Sequence, residues 1–424
     1  MPAAQTLTRS LALLTLPVLA LSACGGPTAE PGQATTAASA PTAGDVTSAD
    51  GQVTSTAQTT DSEGDSQGGD SPAPVTNTPA GPSCLDLAKG LDRSQQIGQL
   101  FMVGTQAQEA DATLQQVVRN NNIGSVIYLG SEPRSQRDTA VMSSRMSGWA
   151  TKGIGVLMAV DQEGGQVQRL AGTGFSDMPS AVTQSQLSDA ELRTSWARWG
   201  RELRSAGVRY DLAPVADVVP EDMSKANEPI GALRRGYGST DAQVGAKATA
   251  VVQGLADAGV ASSLKHYPGL GRVTTNTDFG SATDTVTTLA DAKSFRTAMA
   301  AGASSVMISS TIYDKIDPGV HAVFSSKIIT DGLRGQDGWD KVVISDDLGA
   351  AAAVANIPAK DRGVRFIAAG GDLVINADPG LMADMVAGVE QKAQGDQAFA
   401  DELPNHVARV LALKAEVGLV ECSR

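Results

Sequence analysis

Aromatic side chains make up only 4% of this 424-residue sequence, which has three histidines and three cysteines. So few aromatics leave little for extended stacking platforms. There is no Gly-x-Ser-x-Gly elbow and no cysteine placed as a nucleophile, which disfavours acyl transfer. A glycine-rich phosphate loop is also missing, which disfavours kinase and nucleotidase chemistry. The net charge is −13 and no basic stripe breaks it; neither a polyanion nor nucleic acid is an expected partner. The histidines and cysteines do not cluster, so neither a metal nor any other cofactor is expected.

Residues 25–83 have no aromatic, Leu, Ile, Met, Lys or Arg residue. Such a stretch cannot bury enough surface to offset chain entropy and reads as a spacer. Its acids (Glu30, Asp45, Asp50, Asp61, Glu63, Asp65 and Asp70) carry about half of the net charge. Ahead of it, Arg9 and the apolar run "LALLTLPVLALSA" form a secretory signal over 1–23, too short and too early for a lasting membrane span. "LSAC" at 21–24 resembles the lipobox of bacterial lipoproteins, which implies cleavage before Cys24 and its acylation. The plainer alternative is ordinary cleavage near Ala23 with Cys24 a bystander. Acylation would leave an extracytoplasmic protein tethered to the membrane surface through a 24–83 linker, and a monomer is expected. Cys84 and Cys422 bound the remaining segment, 84–424. In an oxidising compartment they are expected to form a disulfide; two inert thiols are the alternative.

That segment contains eight short apolar runs separated by helical patterns: 99–104, 124–130, 155–163, 210–218, 261–269, 304–311, 341–349 and 371–378. Strand–helix alternation repeated in this way predicts a single α/β domain, a (β/α)8 TIM-type barrel, because parallel strands need helical crossovers. An open doubly wound sheet would normally show a Gly-rich turn after its first strand, and "MVGTQAQEA" has none. Most of the runs begin apolar and end polar, at Asp161-Gln162-Glu163, Asp217, Lys265-His266, Ser309-Ser310, Asp346-Asp347, and Asn376 with Asp378. In such barrels the carboxyl ends of the strands build the active site. A rim of carboxylates, amides and hydroxyls suits a sugar, and glycoside hydrolysis needs one carboxylate at the anomeric carbon and one proton donor.

The motifs "DQEGGQVQRL" (161–170), "LAPVADV" (212–218), "IGALRRGYGS" (230–239), "KHYPGLG" (265–271) and "VVISDDLG" (342–349) occur in the order found in family 3 glycoside hydrolases. The chain most resembles that family's single-domain bacterial β-N-acetylglucosaminidases. The resemblance implies an exo-acting, retaining enzyme that removes terminal N-acetylglucosamine from cell-wall fragments. It places the nucleophile on Asp346, which the apolar run Val342 to Ile344 would aim rigidly. It places sugar contacts on Asp161, Arg169, Arg235, Lys265 and His266, with Arg234 the alternative to Arg235. Supporting roles fall on Asp217 and on Asp347, whose neighbouring position in the strand turns it the other way. His321 and His406 read as structural or solvent-facing. The alternatives are a β-glucosidase or xylosidase of the same family, a glycoside phosphorylase, or a non-catalytic muropeptide-binding lipoprotein.

One loop departs from the pattern. Related enzymes carry an Asp-x-His pair in the loop after "KHYPG", and those positions are Asn276 and Asp278 here. Asp278 is the candidate acid/base, and a carboxyl in that role no longer needs a carboxylate at 276 to orient an imidazole. Alternatively Glu163 or Asp347 supplies the proton, or the site is impaired and only binds sugar. Glycines at 269, 271 and 280 would let the loop move.

Overall fold

The computed structural model describes residues 81–106, 110–130 and 132–424. The signal segment, Cys24 and the spacer up to residue 80 lie outside the described residues. Eight parallel strands close into a barrel: β1 (Phe101–Thr105), β2 (Ser125–Tyr128), β3 (Leu157–Val160), β4 (Tyr210–Asp211), β5 (Ala261–Tyr267), β6 (Ser305–Ile308), β7 (Val342–Asp347) and β8 (Leu373–Asn376). Each strand pairs with its neighbours in sequence. β1 closes the ring by pairing Met102 with Ser125 on one side and Val103 with Asn376 on the other.

Helical segments fill every crossover. In chain order they are α1 (Cys84–Lys89), α2 (Arg93–Gln99), α3 (Ala112–Asn120), α4 (Gln136–Ser147), α5 (Asp189–Ser205), α6 (Asp241–Asp257) and α7 (Lys293–Ala300). A π-helical turn at Lys327–Gln336 covers the β6–β7 crossover, and α8 (Ala359–Ala368), α9 (Met382–Gly395) and α10 (Gln397–Glu416) complete the ring. Helix α5 illustrates the local logic. Ser188 and Glu191 form a capping box at its start, and Leu192, Trp196, Trp199 and Leu203 recur at helical spacing as its buried stripe. Covered outside by helices and filled inside by side chains, the strands are almost wholly buried, which is why they read as continuous apolar runs.

All eight predicted strands are present, but two end early. The third leaves the barrel after Val160, and Gln162–Gly164 folds back on Val167–Gln168, turned by Gly164 and Gly165 at φ 92 and 60. In the fourth, Pro214 has no N–H for the ladder. Regular pairing stops at Asp211 and returns as a lone bridge between Val215 and Lys265.

The lower face is tied by chemistry of its own. Cys84 and Cys422 are disulfide-bonded with Cα atoms 4.9 Å apart, and the Cys84 N–H donates to the Ser423 carbonyl at 2.8 Å. Asp372, just before β8, is fully buried and accepts from Arg334 at 2.6 Å and from Arg409 at 2.9 Å. His406 Nδ1 lies 2.9 Å from the same carboxylate, which gives this histidine its structural place.

Candidate active site

At the carboxyl ends of the strands a cavity of about 390 Å³ opens, at the small end of ligand-binding sites. Its lining includes Asp161, Arg169, Arg235, Lys265, His266, Asn276, Asp278, Asp346 and Asp347. Residues predicted from three strand ends (Asp161, Lys265 with His266, Asp346 with Asp347) and three loop stretches (Arg169, Arg235, Asn276 with Asp278) thus meet in one cup. Asp217 lies behind it, fully buried.

One wall is an ion cluster. The Lys265 ammonium, at the end of β5, donates to Asp161 at 2.6 Å and pairs with Glu163 at 2.6 Å. Arg235 grips both Glu163 oxygens at 2.8 Å and donates its remaining arm to the Pro229 carbonyl at 2.7 Å. Burial opposes charge on Lys265, but Asp161 and Glu163 outweigh it and hold its pKa above the usual lysine value. Burial likewise opposes charge on Glu163, yet Arg235 and Lys265 drive its carboxyl well below the usual range. Glu163 is therefore held as an anion and is a poor proton donor, whereas Asp347, the other residue of that alternative, has no such cationic pair among the described residues. Arg234 is exposed, with φ 57, and Arg235 is the one that lines the cavity.

Beside this cluster, Asp217 organises the turn that follows β5. One of its oxygens accepts from the backbone N–H groups of His266 at 3.1 Å and Leu270 at 2.8 Å; the other lies 2.8 Å from His266 Nδ1. A carboxylate there fixes the proton on Nδ1 and leaves Nε2 as the free ring nitrogen.

The same cup is also lined by Asp346 and Asp278. Asp346 ends β7, and its carboxylate accepts from the Asp347 N–H at 2.9 Å. Among the described residues it has no Lys or Arg ion-pair partner. Burial pushes its pKa up to about 6, with the His266 ring opposing and the Asp278 charge adding to the rise. Asp347 is spent on backbone: it accepts from the N–H groups of Gly349, Ala350 and Ala377 at 2.8 Å and of Ala351 at 3.1 Å. It holds the β7 and β8 loops together, and burial pushes its pKa up.

The loop bearing Asp278 is pinned. Its Asn276 N–H donates to Glu228 at 3.1 Å, and the Asn276 side-chain oxygen accepts from the Asp278 N–H at 3.1 Å. The carbonyls of Thr277 and Asp278 accept from Ala353 at 3.1 Å and Ala352 at 3.2 Å. The glycine at 271 serves packing, not motion, since a Cβ there would overlap the Val218 carbonyl. The expectation of a hinge at that position is thereby corrected. Glu228, Asp211 and Arg362 were missed in the sequence. Arg362 donates to the carbonyls of Leu348 at 2.7 Å and Gly349 at 2.9 Å, bracing the loop after the nucleophile candidate. Asp211 is fully buried under the ion cluster, where burial raises its pKa well above the usual range. None of the three sits in a recognisable motif, and their partners are distant in sequence. Among the described residues no group of three or more His, Cys, Asp or Glu residues could hold a metal ion.

A closed barrel whose upper rim gathers carboxyls beside a compensated ion cluster has the layout of an α/β-barrel enzyme's active site. The chain belongs to glycosyl hydrolase family 3: the profile of that family's N-terminal domain matches residues 93–413. It is 30% identical to a β-hexosaminidase of Xanthomonas oryzae pv. oryzae over 69% of this chain and 87% of that one. Among solved structures it is similar to a β-N-acetylhexosaminidase from Beutenbergia cavernae (TM-score 0.75, 42% identity, 77% of this chain and 99% of that one). It is also similar to a family 3 β-N-acetylglucosaminidase from Paenibacillus sp. (TM-score 0.71, 26% identity, 78% of this chain and 63% of that one).

Proposed function

We propose that this protein is an exo-acting, retaining β-N-acetylglucosaminidase that uses a carboxylic acid where its relatives use a loop histidine. The observation that carries the reading is the asymmetry of the cup, in which Asp346 has no Lys or Arg ion-pair partner among the described residues while Asp161 and Glu163 are paired with Lys265. In the first step an Asp346 oxygen attacks the anomeric carbon while Asp278 gives its proton to the departing glycosidic oxygen. Asp278, now a carboxylate, then takes a proton from water as that water attacks the same carbon and releases Asp346. Lys265, Asp161 and Arg169 supply hydrogen bonds and charge to the sugar hydroxyls. His266, held at Nδ1 by Asp217, lines the same cup.

The substrate class is a terminal N-acetylglucosamine on a short cell-wall fragment, in keeping with the small cavity. The enzyme works outside the cytoplasmic membrane, held by a lipid on Cys24. Side-by-side turnover of chromogenic β-N-acetylglucosaminide and β-glucoside tests the activity: hydrolysis of the first with the β-anomer released initially is expected, and preference for the glucoside contradicts the reading. Metabolic labelling with a radioactive fatty acid tests the anchor. The label is expected on the wild-type chain and is lost in Cys24→Ala.

A further inference from the structure

Phe279, directly after Asp278, has a side chain 82% exposed to solvent at the mouth of the cavity. It is the only exposed phenylalanine among the described residues. Its backbone is nevertheless fixed. The N–H groups of Phe279 and Gly280 both donate to the Asn276 carbonyl, at 3.0 and 3.1 Å, and Ala352 holds the Asp278 carbonyl. The ring is thus free at the end of a positioned stem, a cheap arrangement for a contact made with ligand, since a phenylalanine orders only two side-chain torsions.

We infer that Phe279 is the platform for the leaving-group sugar, and that the enzyme selects substrates whose aglycone is itself a pyranose. The inference rests on Asp278 being the proton donor. That donor must reach the oxygen joining the two sugar units, so the next residue, its Cα only about 3.8 Å further on, stands beside the unit that departs. Asp278 and Phe279 both line the cup and both reach solvent, and Phe279 is the apolar surface beside the proton donor. A pyranose presents axial C–H groups on one face, and those groups pack on an aromatic ring, with the electron-rich ring face toward the C–H dipoles. One platform serves one ring, which matches a chain with so few aromatics.

The experiment compares the β-1,4-linked N-acetylglucosamine disaccharide with β-N-acetylglucosaminyl fluoride, whose leaving group has no ring. Phe279→Ala is expected to lower kcat/KM on the disaccharide about tenfold more than on the fluoride, chiefly through KM. Phe279→Tyr restores the ratio and Phe279→Leu does not. Equal losses on both substrates, an unmoved ratio, or full rescue by leucine would each overturn the platform. Wild-type turnover of the fluoride separates the two ideas. If neither substrate is cleaved the glycosidase reading has failed, whereas cleavage of both with an unmoved ratio removes only the role of Phe279.

Discussion

Asp372 and Asp346 sit at opposite ends of two adjacent strands, and the contrast between them divides the barrel into a face that holds and a face that reacts. Asp372, at the foot of β8, is surrounded by Arg334, Arg409 and His406. Burial would raise its pKa, but those neighbours bring it down to about 2. Asp346, at the top of β7, has no Lys or Arg ion-pair partner among the described residues, and burial, only partly opposed by the His266 ring, raises it to about 6. Asp372 is fully buried and Asp346 partly so, and the sign of the shift follows from which partners each was supplied. A buried anion with partners strengthens the fold; one without them is a strained group that a substrate carbon can relieve.

The largest effect that would sharpen this contrast is at the reacting face. Asp346→Asn should lower kcat by about 10⁴-fold while the protein stays folded, because an amide cannot form the glycosyl ester. Next comes Asp278→Asn. On the disaccharide it should cost roughly 10³-fold, in the range for a lost general acid. On a substrate with a strongly acidic leaving group the first step should be nearly spared, with azide accelerating turnover. Equal losses on both substrates would return the acid to another residue.

At the holding face, Asp372→Asn should cost about 3 kcal/mol of stability in chemical denaturation, because Arg334 and Arg409 lose their counter-charge. Activity should survive at temperatures where the variant is folded. The two faces should also separate in pH. Loss of the Asp346 anion should make kcat/KM fall about tenfold per unit as pH drops below about 6. Asp372, lowered from 3.8 to about 2, contributes roughly 2 kcal/mol that is fully present above its unfolded value and is lost as pH falls through 2. At pH 4.5 to 5, estimated roughly from these two shifts, the protein should therefore be folded but largely inactive, which circular dichroism and rate measurements on one sample can check. The smallest effect has the opposite sign. Because its folded-state pKa is raised, ionised Asp346 destabilises the fold above about pH 6. Asp346→Asn should then be about 1–2 kcal/mol more stable than the wild type at pH 8, and show no gain below about pH 4. A variant less stable at pH 8 would mean that Asp346 has a partner after all.

The eight strands and their polar ends could be read in the sequence because burial on both sides imposes short, continuous apolar runs. Asp346 could be placed for the same reason, at the end of Val342–Ile344. The role of Glu163 could not, because it depends on Lys265 and Arg235, which come near only when the barrel closes. Before the fold was seen, an acid at a strand end looked like a proton donor; its two cationic neighbours make it the counter-ion of the sugar-binding wall. Gly271 misled for a similar reason, since the Val218 carbonyl that crowds it comes from another loop. The change at 276 and 278 was visible in the chain. Its structural sense, an amide oxygen shaping the turn that carries a carboxyl, required the hydrogen bonds.

The most direct test is covalent. A fluorinated N-acetylglucosaminyl fluoride that forms the glycosyl-enzyme quickly and hydrolyses it slowly should inactivate the protein stoichiometrically. Fragmentation of the labelled tryptic peptide should place the sugar on Asp346. A label on Asp347 or any other residue, or inhibition without a covalent adduct, would contradict the assignment of the unpaired carboxylate of β7 as the group that attacks.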